Sequence, residues 1–526
     1  MYKKTLATAG AAALLVLISA TAEATNGTRL IGNGARTSAR GGVDIGIADD
    51  ATAINSNPAG IAFIDGQRLD QSFYLAKPTV SFRGPSDSAD SEVGLIPAGS
   101  LGVVFDFEEP WHLGEALTFR QDTEPMLPSR LDSLYDVQEG VSGLKLGFGI
   151  FPVAGSKVDF QFVTPWWDAN PNLTPALPRQ PMDWEADLTE VAFTLAIAWR
   201  INQLISVGVA PSFVHSRFEL DQPVAQPASI LQGHPFSNGE DPQDVTTYHK
   251  FTPLLGVRQI VGFGDVDYAS TIGFRVRIGT LIRPTDWLSL GLTYATQTFK
   301  QDYLGETGID FSRQLNTLDG RSFPPIKVKP IVEQNVALLP GQRTYKGVAN
   351  ARLSPLNSPQ EVGIGLGVRV DRVALGLDVI WLNWSSTFDN LEARLYESSS
   401  PELNELVGDW STTQHMVVPL DWKDQVVIAF GTAVAITDWF VLRSGYNYAQ
   451  NPVPNDTILP TAPAIMEQHV TTGFSLYYRR LEFSFSFEYA LPNTVLAQNH
   501  RGNENLNNHE IEVSAFFVGL GVGVNF

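Results

Sequence analysis

From Leu69 to the end of the chain, apolar residues recur at every second position. That is the period of a β-strand with two differently solvated faces. Leu481, Phe483, Phe485, Phe487 and Tyr489 alternate with Glu482, Ser484, Ser486 and Glu488, and Ile272, Phe274, Val276 and Ile278 alternate with Gly273, Arg275, Arg277 and Gly279. At the C-terminus Phe516, Val518, Leu520, Val522, Val524 and Phe526 share one face. The breaks between strands alternate in length. Six are short: Pro152–Ser156, Arg200–Leu204, Arg283–Asp286, Val370–Arg372, Ile436–Asp438 and Arg479–Arg480. Seven are long: 84–141, 165–185, 220–267, 301–359, 385–422, 451–467 and 492–508. Thirteen breaks join fourteen strands, and Ser100–Phe107 alternates weakly enough to read as a small hairpin within the first long loop.

An even strand number with tight turns at one end and long loops at the other predicts an all-β, 14-stranded antiparallel transmembrane β-barrel. An open sheet edge has no water to satisfy it in hydrocarbon, so the last strand must pair with the first. Trp199, Trp287 and Trp439 beside short turns, with Trp166, Trp384 and Tyr448 near long loops, mark two interfacial girdles. A secreted β-sandwich would also alternate, but would not send charges down the second face of so many strands. That second face carries Arg275, Arg277, Arg369, Asp378, Arg443, Glu482, Glu488, Glu510 and Glu512.

Residues 1–24 read as a signal peptide: Lys3 and Lys4, an apolar run from Ala9 to Ala20, then Ala22-Glu23-Ala24 as the cleavage site. The mature protein is therefore expected in the cell outer membrane of a Gram-negative bacterium. Composition narrows the chemistry. A net charge of −20 argues against nucleic acid as a partner. There is no cysteine, hence no disulfide or thiolate metal site.

One stretch does not alternate. Thr25–Gly66 is rich in Gly, Ala and Asn and carries Arg29, Arg36, Arg40, Asp44, Asp49 and Asp50. A barrel of fourteen strands is too wide for its own side chains to fill. This stretch enters just before the first strand and is expected to plug the lumen, with residues 67–526 forming the barrel.

Several motifs here resemble the FadL family of outer-membrane transporters of long-chain fatty acids and aromatic hydrocarbons. They are Gly32-Asn33-Gly34-Ala35, Ala39-Arg40-Gly41-Gly42, Ala48-Asp49-Asp50-Ala51 and Asn57-Pro58-Ala59-Gly60. In the second half, Trp381-Leu382-Asn383-Trp384-Ser385, Pro419-Leu420-Asp421-Trp422-Lys423-Asp424, Leu442-Arg443-Ser444-Gly445-Tyr446 and Asn451-Pro452-Val453-Pro454 add to it. The resemblance implies a barrel closed by a small N-terminal hatch, residues 25–66. It also implies passive, hatch-gated uptake of hydrophobic small molecules, with lateral release at a kinked third strand and no cofactor.

Asn57, Pro58 and Ala59 are the candidate hatch anchor, although Asn-Pro is also an ordinary turn. Arg36, Arg40, Asp49 and Asp50 are candidate contacts between hatch and lumen. Arg275 and Arg277 suit either a ligand carboxylate or hatch acids. Lys327 and Lys329, beside Ile326, Val328 and Ile331, suit an amphipathic acid or a solvated loop. Pro165, after a third strand at Lys157–Thr164, marks a lateral exit or merely ends that strand. Neither G-x-S-x-G nor a His-rich metal spacing occurs, so catalysis and bound metal are not expected. An outer-membrane hydrolase or a surface receptor remains the alternative. Other expected partners are outer-membrane lipid and lipopolysaccharide, and the barrel-assembly machinery through the strand ending in Phe526.

Overall fold

The computed structural model describes residues 26–85, 87–106, 143–162, 182–227, 259–310, 346–398, 414–501 and 506–526. The signal peptide, Pro165, Lys327 and Lys329 lie outside them. Among the described residues, twenty strand segments form one antiparallel sheet. They are β1 (Arg68–Arg83), β2 (Ser88–Asp90), β3 (Ile96–Asp106), β4 (Leu144–Phe162), β5 (Met182–Arg200), β6 (Ile205–Pro227) and β7 (Gln259–Thr285). Next come β8 (Leu288–Ala295), β9 (Phe299–Lys300), β10 (Tyr303–Asp310), β11 (Lys346–Leu353), β12 (Gln360–Val370) and β13 (Val373–Asn383). The remainder are β14 (Asn390–Ser398), β15 (Gln414–Pro419), β16 (Gln425–Thr437), β17 (Phe440–Ala449), β18 (Gln468–Tyr478), β19 (Leu481–Leu496) and β20 (Glu510–Asn525).

The sheet closes on itself. β1 pairs with β20 along its whole length, from Arg68↔Asn525 to Arg83↔Glu510, so no edge remains at the seam. The strands are not fourteen continuous ones, because four neighbouring spans are interrupted. β8 and β10 are separated around β9, β11 from β12 at 354–359, β13 from β14 at 384–389, and β15 from β16 at 420–424. Local causes are visible. Pro355 and Pro359 lack the ladder donor, Trp384–Ser386 forms a 3-10 turn, and Asp421 sits at φ 48°.

Two strand assignments need correction. Pro152–Ser156 is not a turn: β4 runs through it, with a register shift against β5 between Pro152 and Ala154. Ser100–Phe107 is not a loop hairpin, since most of it belongs to β3, which pairs with both β1 and β4. A proline inside a strand and a glycine-diluted alternation mimic a turn and a loop. The other five tight connections fall where the alternation places them.

The two faces differ as a barrel in lipid requires. Leu195, Leu292, Ile364 and Leu520 point outward and are 54–60% exposed. Exposing such apolar surface to water would cost about 25 cal/mol per Å², so the outer face is built for hydrocarbon. Trp199, Trp287 and Trp439 are exposed beside the tight turns. Trp384 is not a girdle residue: it is fully buried, packed against Phe388 and Trp422. Glu510 and Glu512 do not face the lumen, because Ile511, Val513 and Ala515 take the buried face of β20. None of the described helices is long and apolar enough to cross a membrane.

Candidate functional site

The inner face is occupied by residues 26–66, nearly all buried. The segment holds one short helix, α1 (Ala35–Ala39), and two 3-10 turns, Ala51–Asn55 and Pro58–Phe63. Each 3-10 turn starts on a capping side chain. Asp50 accepts from the Thr52 amide, and Asn57 accepts from the Ala59 amide with Pro58 at the first turn position. Asn57 is fully buried. Its Nδ2 donates to the carbonyls of Ile45 (2.8 Å) and Thr280 (3.2 Å), while its Oδ1 accepts from Ala59 N (3.2 Å). Ser206 Oγ on β6 donates to the Ala59 carbonyl at 2.9 Å. The wall makes room: a Cβ on Gly279 would lie 2.1 Å from Asn57 Oδ1.

A second wall contact is made by Asp378 on β13. Its carboxylate accepts the amides of Asp44 (2.7 Å), Ile45 (2.8 Å) and Gly46 (3.4 Å), a ready-made cradle for a chain turning inside the barrel. Charges tie down the rest. Arg36 pairs with Asp49 and reaches Glu482 on β19 at 3.3 Å. Arg40 pairs with Asp44 (3.1 Å) and Asp49 (2.7 Å) inside the segment. Asp50 lies 3.8 Å from Arg36 Nε. Arg68 on β1 bridges Asp70 and Glu482 at 2.6 and 2.9 Å, and Asp70 accepts the Ala51 amide. Burial alone would raise the Asp49 carboxyl, but Arg36 and Arg40 outweigh it and hold it well below the usual carboxylate range. Asp44 goes the other way: burial, then the neighbouring Asp50 carboxylate, push it well above that range.

Arg275 and Arg277 on β7 both grip Glu361 on β12, at 2.5 and 2.9 Å, and Arg29 of the segment approaches the same carboxylate at 3.5 Å. Arg277 also reaches the Ser56 carbonyl at 3.5 Å. Glu361 was not legible as their common partner, because strand parity marks it as inward without saying which cation it meets. A further network was unforeseen. Lys300 of β9 is buried against Glu190 of β5, with Tyr303 OH at 3.2 Å, and Ser358 Oγ donates to Glu190 Oε2 at 2.6 Å. Phe82, Phe160, Trp184, Phe218, Leu353 and Trp384 belong to one buried apolar cluster.

The wall has a window. β3 pairs with β4 only from Leu101↔Ile150 to Asp106↔Lys145, while its other end, Ile96–Ser100, pairs with β1 alone. Higher up, Glu92 N donates to the Asp159 carbonyl (2.9 Å), and Asp159 N to Ser91 Oγ (3.2 Å). Between these two closures, among the described residues, 93–100 and 151–158 have no ladder between them. Were the register continued, Gly99 would face Pro152 and Pro97 would face Ala154, so two prolines leave the ladder without donors.

The window is covered from inside by the start of the segment. Gly155 N donates to the Thr28 carbonyl at 3.0 Å. Leu30 packs against Tyr74 and Ala98. On the far side, Gly27 (φ +67°) lies flat on Trp384, where a Cβ would come within 2.5 Å of the ring. The turn 26–30 therefore spans the lumen from the window to the Trp384 wall.

The sequence model of outer membrane protein transport proteins, described as OMPP1/FadL/TodX, matches residues 177–526. No curated protein sequence matches the chain. Solved structures share the fold at low identity. The Pseudomonas putida toluene transporter TodX superposes with a TM-score of 0.64 at 16% identity, over 94% of this chain and 99% of that one. The Ralstonia pickettii toluene transporter TbuX gives 0.60 at 15%, over 94% and 99%. A Pseudomonas aeruginosa FadL homologue gives 0.60 at 15%, over 95% and 100%.

Proposed function

This chain belongs to the OMPP1/FadL/TodX family of outer membrane transport proteins, and from that premise we propose that it carries hydrophobic small molecules passively across the outer membrane. Residues 25–66 act as the hatch of a fourteen-strand barrel. The count draws on a ring of pairings that runs β1, β3 to β8, β12, β13 and β16 to β20 before returning to β1. Asn57, Pro58 and Ala59 anchor the hatch to β6 and β7, so that its first residues move while its middle stays. The permeant, a hydrocarbon or a fatty acid, collects in the apolar upper lumen and leaves sideways into lipid. Outer-membrane lipid, lipopolysaccharide and the barrel-assembly machinery complete the expected partners.

The observation that carries this reading is the unladdered window between β3 and β4, covered among the described residues by Thr28 and Leu30. An apolar molecule that leaves there avoids the aqueous end of the lumen, at about 25 cal/mol saved per Å² kept from water. This reading puts the exit at Pro152 within β4; the Pro165 candidate lies outside the described residues. Arg275 and Arg277 act as ties to Glu361, a carboxylate they share with Arg29, and offer a ligand carboxylate only what remains of that pairing.

The chain has no cysteine, so a lock can be introduced cleanly. Thr28→Cys with Gly155→Cys, oxidised, should hold the turn over the window and cut toluene uptake by cells, and reduction should restore it. Equal uptake by the oxidised and reduced barrels would sink the gating scheme. Uptake no faster than in cells lacking the protein would sink the transport reading itself.

A further inference from the structure

Beside the window, a small cavity lies between the N-terminal segment and the seam strands. Leu30, Ile31, Ala76, Ala98 and Phe517 line it with hydrocarbon, and Ser38, Tyr74, Ser486 and Glu488 with polar atoms. Two of those polar groups, Glu488 and Tyr74, keep a buried oxygen without a hydrogen bond of normal geometry. The carboxylates of Glu361 and Glu482 each meet arginines, and Asp378 takes three backbone amides. Glu488 is 4% exposed, and its ion-pair partner among the described residues is His469, with Nδ1 3.1 Å from Oε1. That contact lacks hydrogen-bond geometry, which leaves Oε1 buried without a donor. The Tyr74 hydroxyl is likewise buried without a bond of normal geometry. Ser38, Ser72 and Ser100 surround it, but Ser72 already accepts the Ala35 amide and Ser100 donates to the Asn33 carbonyl.

A buried acceptor and a buried hydroxyl facing one cavity are complementary to a single ligand hydroxyl. Its hydrogen would go to Glu488 and its oxygen would accept from Tyr74. We propose that this cavity is a subsite for the hydroxyl end of a neutral, mostly apolar molecule such as a phenol or an alcohol. The apolar body of that molecule would take the place of Leu30. A carboxylate is the wrong group here: it brings a second negative charge to Glu488 in a low-dielectric site, and Coulomb repulsion is little screened there. The proposal deepens the transport reading by naming a substrate class, and it rests on that reading only for its biological use.

Binding of p-cresol, toluene and benzoate to the purified, full-length folded protein in detergent tests it, with Glu488→Gln and Tyr74→Phe as variants. Folding is checked independently by heat-dependent migration. The wild-type barrel should bind p-cresol and not benzoate. Each variant should weaken p-cresol by about tenfold, the loss expected for a hydrogen bond in a buried site, and leave toluene unchanged. Benzoate should bind only to Glu488→Gln. Unchanged p-cresol affinity in both folded variants would mean that the cavity takes water alone and would overturn the assignment. So would a parallel loss of toluene. Uptake is read separately: the expected binding pattern without faster p-cresol entry keeps the subsite and removes transport, whereas uptake without the binding pattern overturns the subsite alone.

Discussion

Asn57 illustrates what one side chain contributes in this lumen. Its amide is spent on two carbonyls and one amide of three different stretches of chain. Replacement by alanine leaves those partners buried and unpaired, at about 1–3 kcal/mol for each unsatisfied group. The barrel ladder is untouched by that loss. Asn57→Ala should therefore free residues 44–64 locally, seen as faster amide exchange or proteolysis there, while the barrel keeps its heat-resistant migration. If exchange in that stretch is unaltered, Asn57 is not the anchor. The Asn-Pro-Ala sequence pointed to this residue, and the structure places its side chain as the cap of the 3-10 turn that starts at Pro58. The partners of Arg275 and Lys300 were not legible, because alternation tells which way a residue points and not what it meets across the lumen. Trp384 shows the same limit: a tryptophan near a long loop looks like a girdle residue until the chain folds inward.

At the scale of elements, the informative failures lie in β3 and β4. Proline at 152 looked like a turn and proved to be a defect in a continuous strand. Pro97 stands nearly opposite on β3. Restoring both donors with Pro97→Val and Pro152→Val should let the two strands zip past Ile150. Amide exchange at 93–100 and 151–158 should then slow, and uptake of hydrophobic solutes should fall several-fold. Exchange rates that stay as fast in the double variant would show that something other than the prolines keeps the window open. The tight turns and the tryptophans beside them were legible because they obey local rules. The window was not, since it depends on two defects brought together across a gap of 55 residues.

At the scale of the whole molecule, the plugged lumen is a buried electrolyte with opposing responses to acid. Asp49 is held low, so its ion pairs contribute fully above the ordinary carboxylate range and are lost as pH falls through and below it. Asp44 is held high, so its burial costs stability at neutral pH; that cost begins to fall once the pH drops below its raised pKa and is gone below the ordinary carboxylate range. Mild acidification should therefore tighten the segment before strong acidification loosens it. Protease sensitivity of residues 26–66, followed from neutral pH downward, should pass through a minimum. A monotonic rise would mean that Asp44 does not carry the opposing response.

The seam between β1 and β20 also sets an order of events. Arg68 meets Asn525 across a separation of 457 residues, with Arg68 Nη1 3.2 Å from Asn525 Oδ1. The segment that fills the lumen precedes that first strand directly. It is also wedged too tightly to be threaded in later, for a Cβ on Gly445 would sit 2.2 Å from the Arg40 carbonyl carbon. The cylinder must therefore be sealed around its contents, as a bottle blown around the ship. The first strand waits for the last, and the plug is enclosed by the act of closing the wall.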